Sequence, residues 1–181
     1  ALVTKRLELL KEIVPTATRV GVLLNPAFPA HSRQLKDIQA TAPAFGVTVL
    51  SSPVTGADDI YRAFATMRKE CAGGLLVLGD PLIGNHRTQI VDLAVKSRLP
   101  AMFTGGGFVR AGGLMSYGAN FTELWRRAAV YVAKILKGAN PADLPVEQPI
   151  KFDLTINLKT AKALGVTIPP EVLYQATKVI K

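Results

Sequence analysis

The sequence predicts an α/β fold, a three-layer α/β/α arrangement around a mainly parallel sheet, in a chain of 181 residues. Four apolar, β-branched runs carry this prediction: "RVGVLLN" from Arg19, "VTVLSS" from Val47, "GGLLVLGD" from Gly73 and "PAMFTG" from Pro100. They begin about 27 residues apart, which suits a strand–helix–strand unit. Strands that are apolar throughout and alternate with helices indicate a parallel sheet covered on both faces.

Amphipathic helical patterns separate these runs. The apolar residues at helical spacing are Leu35, Ile38, Ala42 and Phe45 in the first interval, Ile60, Phe64 and Met67 in the second, and Ile90, Val91, Ala94 and Val95 in the third. An opening helix from about Leu2 to Val14 is predicted to end at Pro15. After the fourth run we expect a helix with an apolar face over Leu124–Ile135, a strand over "KFDLTIN", and short helices over "LKTAKALG" and "IPPEVLYQAT".

The composition argues against several classes of protein. Hydrophobic residues make up 49% of the chain, but no apolar run approaches the ~18 residues of a membrane-spanning helix. The net charge of +9 comes from Lys and Arg scattered singly or in pairs, so nucleic-acid binding is not expected. The one cysteine, Cys71, excludes an intrachain disulfide and a CxxC metal site. Its place between a helix and a strand predicts a small core residue.

Polar residues follow the predicted strands at their carboxyl ends. Asn25 follows the first strand, Asp80 follows the third, and Thr104 and Gly105 follow the fourth. Ligands of parallel α/β sheets bind outside these ends, so the amide, carboxylate and hydroxyl groups predict one ligand-binding rim. Such residues also cap helices and form Asx turns, and that alternative stays open.

Histidines and aromatic residues also lie near this rim. His31 and His86 stand near helix starts without a nucleophile or a ligand cluster beside them, which predicts polar rim or surface positions. Four aromatic residues fall where a ring can close over a small organic ligand: Phe28, Phe103, Phe108 and Tyr117. Three others lie in helical patterns that predict core positions: Tyr61, Trp125 and Tyr131.

The glycine-rich stretch "TGGGFVRAGGLMSYGAN" (residues 104–120) does not fit a phosphate-binding motif. A dinucleotide fingerprint needs Gly or Ala where Arg110 stands, and no Gly-Lys-Ser/Thr follows for a P-loop. Asp80 and Thr104 resemble strand ends of phosphoacceptor receiver domains, but Asn25 stands where those domains carry acidic residues. The sequence therefore predicts no catalytic residue, metal or cofactor. A small α/β enzyme or phosphoacceptor domain using Asp80 is the alternative.

Long stretches resemble one protein family: "KRLELLKEIVPTATRVGVLLNP", "GLLVLGDPL", "RLPAMFTGGGFVRAGGLMSYGAN" and "KILKGANPADLPVEQPIKFDLTINLKTAKALG". Together they resemble the bacterial ABC-transporter substrate-binding proteins related to tryptophan- and tyrosine-binding uptake proteins, over essentially the whole chain. The resemblance implies a type I periplasmic binding protein, with two α/β lobes hinged around a ligand cleft. Against that template the chain is an N-terminally truncated fragment. Residues 1–113 and 150–181 then belong to the second lobe, and residues 114–149 form an excursion to the first lobe and hinge.

The function implied by the resemblance is solute binding for a bacterial ABC importer, without enzyme activity. The solute is an amino acid or another small organic molecule, and the implied partners are ABC permease subunits. The implied location is periplasmic or otherwise extracytoplasmic, although this chain carries no signal peptide. Asn25, Asp80, Thr104 and Gly105 match strand ends that face the cleft, and Tyr117 matches the motif beside the hinge.

Two features depart from the family template. Members that bind aromatic amino acids often have an Asp-Asn pair after the third strand, whereas "GDPLIGN" separates Asp80 from Asn85 and leaves the ligand class open. The truncation removes the sheet that would cover the helix at Leu124–Ile135. We therefore expect exposed apolar surface, a homodimer formed through residues 114–149, and weak solute binding by the chain alone.

Overall fold

The computed structural model describes residues 2–181, and its strands form one seven-stranded sheet. The strands are β1 Arg19–Leu24, β2 Thr48–Pro53, β3 Gly74–Val77, β4 Ala101–Phe103, β5 Met115–Ala119, β6 Phe152–Asn157 and β7 Lys178–Ile180. Their order is β2-β1-β3-β4-β5-β6-β7. All neighbours are parallel except β5 and β6, which are antiparallel. The predicted α/β class with a mainly parallel sheet is confirmed.

Helices cover both faces of this sheet. They are α1 Leu2–Ile13, α2 Pro29–Thr41, α3 Ala57–Lys69, α4 Pro81–Asn85, α5 Arg87–Lys96, α6 Gly106–Arg110, α7 Phe121–Leu136, α8 Leu158–Leu164 and α9 Pro170–Gln175, with 3-10 turns at Ala42–Phe45 and Pro141–Asp143. The opening helix ends beside Pro15 as predicted. Two apolar clusters lie on the two faces, one against α1, α2, α8 and α9, the other against α3 and α5.

Strand β1 illustrates why these strands are apolar throughout. Val20, Val22 and Leu24 belong to the cluster beneath α1, while Leu23 belongs to the cluster beneath α3. Each fully buried aliphatic side chain contributes about 1.5–3 kcal/mol relative to its exposed state. A strand buried on both faces therefore needs an apolar residue at every position, and this is the pattern from which the parallel sheet was predicted.

Helix α7 lies outside these layers. Asn120 caps it by accepting the Glu123 N–H at 2.8 Å, yet none of its side chains is buried. Trp125 is 73% exposed and Leu136 is 82% exposed. The helix is present as predicted, with its apolar face exposed. The prediction that Trp125 lies in the core is wrong, and so is the same prediction for Tyr61, which is 57% exposed.

Further features of the structure add to the sequence-based expectations. The sheet continues through β5, which pairs with both β4 and β6 and extends to Ala119, while the division of the chain into lobes stays a prediction. The short helix α6 and the last strand β7 were not predicted. Cys71 is exposed and not a core residue, since it follows α3 in a left-handed conformation with φ of 53°.

Candidate functional site

A broad open groove of ≈ 1390 Å³ runs along the carboxyl ends of the parallel strands. Asp80, Thr104 and Gly105 line it, and so do Arg6 from α1 and Asp153 from β6. The loops that follow β3 and β4 contribute because parallel strands end at the same edge of the sheet. Three of the five predicted site residues therefore lie in one groove. Asn25 and Tyr117 do not line the groove.

Asn25 is hydrogen-bonded to Asp80, which lines the groove. Its Nδ2 donates to Asp80 Oδ2 at 2.5 Å, and its Oδ1 accepts the Ala27 N–H at 2.9 Å. The other carboxylate oxygen of Asp80 accepts the Ile83 N–H at 2.8 Å and caps α4. The capping and Asx-turn alternative is thus realised at both residues. It coexists with groove lining, because a carboxylate has about four acceptor positions and only two are used.

His31 holds the ends of two strands together. It is fully buried on α2, and its Nδ1 accepts the Asn25 backbone N–H at 3.0 Å. The ring proton therefore belongs on Nε2, which lies 3.4 Å from the Gly79 carbonyl oxygen. The prediction of a rim or surface position is wrong for this histidine. It fixes the backbone on either side of the Asn25–Asp80 pair.

Thr104 sits where two glycines allow the backbone to approach closely. A Cβ on Gly79 would lie 2.1 Å from Thr104 Oγ1, and a Cβ on Gly118 would lie 2.0 Å from the Thr104 carbonyl oxygen. Either contact is far inside van der Waals distance. Gly79 and Gly118 therefore let β3, β4 and β5 converge on Thr104 at the floor of the groove.

Arg6 is a site residue that the sequence analysis missed. Its side chain is 6% exposed, and its Nε donates to the Tyr117 carbonyl oxygen at 2.7 Å. Burial lowers the pKa of the guanidinium to about 10, and the electrostatic influence of Tyr117 opposes that shift. Tyr117 thus contributes its carbonyl group, whereas its ring stacks on Phe152 with centroids 5.9 Å apart. No local signal distinguishes Arg6 from its solvated neighbours, because its partner is 111 residues away.

The aromatic residues predicted at the rim differ in their positions. Phe103 is fully buried, and its ring stacks on Phe108 at 4.8 Å, so both belong to the apolar cluster beneath α3 and α5. Phe28 packs at a tilt against His31 at 4.8 Å. Phe108 lines the groove, whereas Phe28 and Phe103 do not.

The arrangement is suited to binding. Among residues 2–181, no group of three or more His, Cys, Asp and Glu side chains could hold a metal ion. Asp80 has each oxygen hydrogen-bonded to an N–H group, with Asn25 as its side-chain partner. The groove instead offers donors and acceptors along an open channel, a pattern typical of small-molecule recognition.

The comparison with protein families shows to which family this chain belongs. A family model described as "ABC transporter substrate binding protein" matches residues 1–180. The chain belongs to this family. The tyrosine-binding protein of Clostridioides difficile (strain R20291) is 24% identical to this substrate-binding protein over 162 residues, which are 90% of this chain and 47% of that protein.

Two solved structures that are similar to this chain support the family assignment. The ABC domain of Streptococcus pneumoniae in complex with L-Trp is 28% identical, with a TM-score of 0.89 over 99% of this chain and 60% of that chain. The ligand-free, open structure of a substrate binding protein with adhesive properties from Clostridium difficile is 25% identical, with a TM-score of 0.75 over 100% of this chain and 60% of that chain.

The family member described here spans only part of those proteins. Its 181 residues cover about half of the tyrosine-binding protein and three fifths of each of the two solved chains. Within residues 2–181, no helix has both the length and the apolar character needed to cross a membrane.

Proposed function

We propose that this chain is part of the solute-binding component of a bacterial ABC importer and that its groove forms one wall of the ligand cleft. The observation that carries the proposal is the groove itself. It lies at the carboxyl edge of the parallel sheet, and Asp80, Thr104 and Gly105 line it, in a chain that matches the substrate-binding family from end to end.

The solute we propose is an amino acid with an aromatic side chain. Two relatives support this class by their descriptions, one as a tyrosine-binding protein and one as a domain in complex with L-Trp. The groove offers matching polar groups. The Asp80 carboxylate suits an ammonium group, and the Thr104 hydroxyl can donate or accept a hydrogen bond.

The proposed protein has two lobes. Residues 1–113 together with β5 and residues 150–181 would form one lobe, and the helical part of residues 114–149 would pack in the other. In support, α7 is amphipathic but buries none of its side chains, and Trp125 and Leu136 are exposed. An apolar helix face of this kind normally packs against another element of the protein.

We propose that this solute-binding component works outside the cytoplasm. There its two lobes would close around the solute and present it to the ABC permease subunits. We propose binding without chemical conversion of the solute. Among residues 2–181, no threonine hydroxyl of the groove is hydrogen-bonded to a carboxylate or a histidine, and Asp80 is engaged by Asn25 and the start of α4. The tyrosine-binding protein and the domain in complex with L-Trp are described by the solutes they bind, which agrees with this assignment.

A thermal-shift screen of amino acids and small organic acids tests the proposal. It uses two proteins, the 181-residue chain and the same chain extended to the length of its relatives. L-tyrosine or L-tryptophan should raise the melting temperature of the extended protein, and should raise that of the shorter chain much less. Absence of any shift with either amino acid in the extended protein would refute the proposed solute class.

A matched pair of variants locates the site. Asp80→Asn removes a carboxylate from the groove, whereas Asp92→Asn removes one from the exposed surface of α5. The ligand-induced shift should fall in Asp80→Asn and stay unchanged in Asp92→Asn. Equal shifts in both variants would place the ligand elsewhere.

A further inference from the structure

Arg6 is a buried cation without an acidic partner. Its side chain is 6% exposed, and the one hydrogen bond of its guanidinium runs from Nε to the Tyr117 carbonyl oxygen. Within residues 2–181, no carboxylate lies within ion-pair distance of it. A largely buried charge without an ion-pair partner is unfavourable, and an anionic group bound beside it would compensate for the hydration that burial removes.

The free side of the guanidinium faces the groove. No described side-chain nitrogen or oxygen is fully buried without a hydrogen-bond partner, and Arg6 lines the groove. Its two Nη atoms therefore remain reachable from there. A Cβ on Gly118 would lie 2.0 Å from the Thr104 carbonyl oxygen and 3.8 Å from Arg6 Nη2. Arg6 Nη2 and the Thr104 carbonyl oxygen thus both lie within 4 Å of the Cβ position of Gly118.

The surroundings favour a negatively charged ligand group. The residues that line the groove include five Lys or Arg and three Asp. Two of those Asp side chains already accept hydrogen bonds from amides, since Asn25 donates to Asp80 and Asn120 donates to Asp153. A guanidinium whose Nε is anchored holds its two Nη groups in a fixed plane, which matches the geometry of a carboxylate.

From this geometry we infer that Arg6 binds a carboxylate group of the solute, so that the solute class is carboxylate-bearing. The inference rests on the proposed solute-binding function and extends it with a named residue and charge. Bidentate hydrogen bonds to a carboxylate supply the missing counter-charge. The lowered pKa of Arg6 agrees with its desolvation by burial.

Calorimetric titration of the extended protein tests this role with matched ligand pairs. L-tyrosine and L-tryptophan are compared with tyramine and tryptamine, which lack the carboxylate. Arg6→Met should weaken binding of the amino acids about 10- to 100-fold, the range expected for charged hydrogen bonds, and should change binding of the amines less than about 3-fold. Arg6→Lys should restore part of the amino-acid affinity because it keeps the charge.

Arg68→Met is the matched control, because it removes an exposed cation of α3 that does not line the groove. It should leave the preference for the carboxylate ligands in place. If Arg6 only anchors β5 through Tyr117, Arg6→Met will weaken binding of the amino acids and of the amines equally, and that result would overturn the inference. A loss of preference as large in Arg68→Met would overturn it as well.

A second measurement separates this inference from the proposed solute. The Nε–Hε NMR signal of Arg6, assigned by its loss in Arg6→Met, is followed during titration with acetate and with acetamide. A shift with acetate alone supports the carboxylate site even if neither aromatic amino acid binds. No shift with acetate overturns the site, even if both amino acids bind elsewhere in the groove.

Discussion

Gly118→Ala tests whether the close approach at Thr104 holds the groove floor together. A Cβ at this position would lie 2.0 Å from the Thr104 carbonyl oxygen and 3.2 Å from its carbonyl carbon. Real Cβ atoms essentially never come closer than 3.0 Å to such neighbours, so the two backbones would have to separate by about 1.0 Å, the difference between 3.0 and 2.0 Å. Both contacts are with backbone atoms, so no side-chain rotation can relieve them.

The cost follows from the elements that must move. β4 has three residues and pairs with β5 through Met102–Met115 and Phe103–Ser116, directly beside the clash. Forced repacking costs about 1–3 kcal/mol, and loss of one sheet hydrogen bond adds about 1 kcal/mol. We therefore expect the free energy of unfolding to fall by about 2–4 kcal/mol. The melting temperature of a chain of this size should fall by about 5–15 °C.

Urea denaturation followed by far-UV circular dichroism is the appropriate assay, because Trp125 is too exposed to report on the core. Gly84→Ala is the matched control. A Cβ there meets nothing within 4 Å, and the residue lies in α4, so this change should be neutral or stabilising by up to about 1 kcal/mol. The reasoning fails if Gly118→Ala stays within 0.5 kcal/mol of the unchanged protein, a margin of about the size of ordinary surface effects.

Three further outcomes are expected. Asp80→Ala removes the cap of α4 and the partner of Asn25, and should lower the free energy of unfolding by about 1–2 kcal/mol in urea denaturation. The 181-residue chain should self-associate through the apolar face of α7, and Leu136→Lys should shift its sedimentation toward the monomer. Hydrogen bonds from Arg62 and then Thr55 lower the pKa of Asp59 below its usual 3.8, so Asp59 stabilises the fold above that pH and loses this effect below it. Asp59→Asn should therefore make unfolding less pH-dependent in the acid range, as followed by circular dichroism.

Each of these outcomes has a result that contradicts it. Unchanged stability in Asp80→Ala would mean that its two hydrogen bonds contribute nothing to the fold. A strict monomer at high concentration would remove the basis for association through α7. An acid limb with the same slope in Asp59→Asn would show that its carboxylate is not held by Arg62 and Thr55.

The sheet was predictable because its signal is repeated and local. Four strands buried on both faces produce continuous apolar runs, and the intervening helices each carry one apolar face. By contrast, β7 has three residues, and none of them is fully buried. Its sequence therefore shows no periodic pattern of apolar residues from which a strand could be predicted. α6 begins with two glycines and forms because Phe108 packs onto Phe103, a contact that helix propensity does not report.

The candidate site was predictable only in part, for a related physical reason. Strand ends mark Asn25, Asp80 and Thr104, because topology alone brings the ends of parallel strands together. Arg6 and His31 carry polar side chains whose burial is compensated by backbone groups, Tyr117 for Arg6 and Asn25 and Gly79 for His31. Tyr117 is 111 residues from Arg6 and Gly79 is 48 residues from His31, and neither residue type suggests burial when its neighbours are read alone.

The return of the chain at Lys151 has a consequence for how the sheet is constructed. Ala119 lies opposite Phe152 in the antiparallel pair of β5 and β6, and Asn120 donates its N–H to the Lys151 carbonyl oxygen at 3.0 Å. Two antiparallel neighbours joined in this register form a β-hairpin whose loop is the whole of residues 120–151. A short turn between β5 and β6 would satisfy the same register. In topological terms the helical segment is therefore an insertion into a hairpin loop, and the seven-stranded sheet is continuous without it.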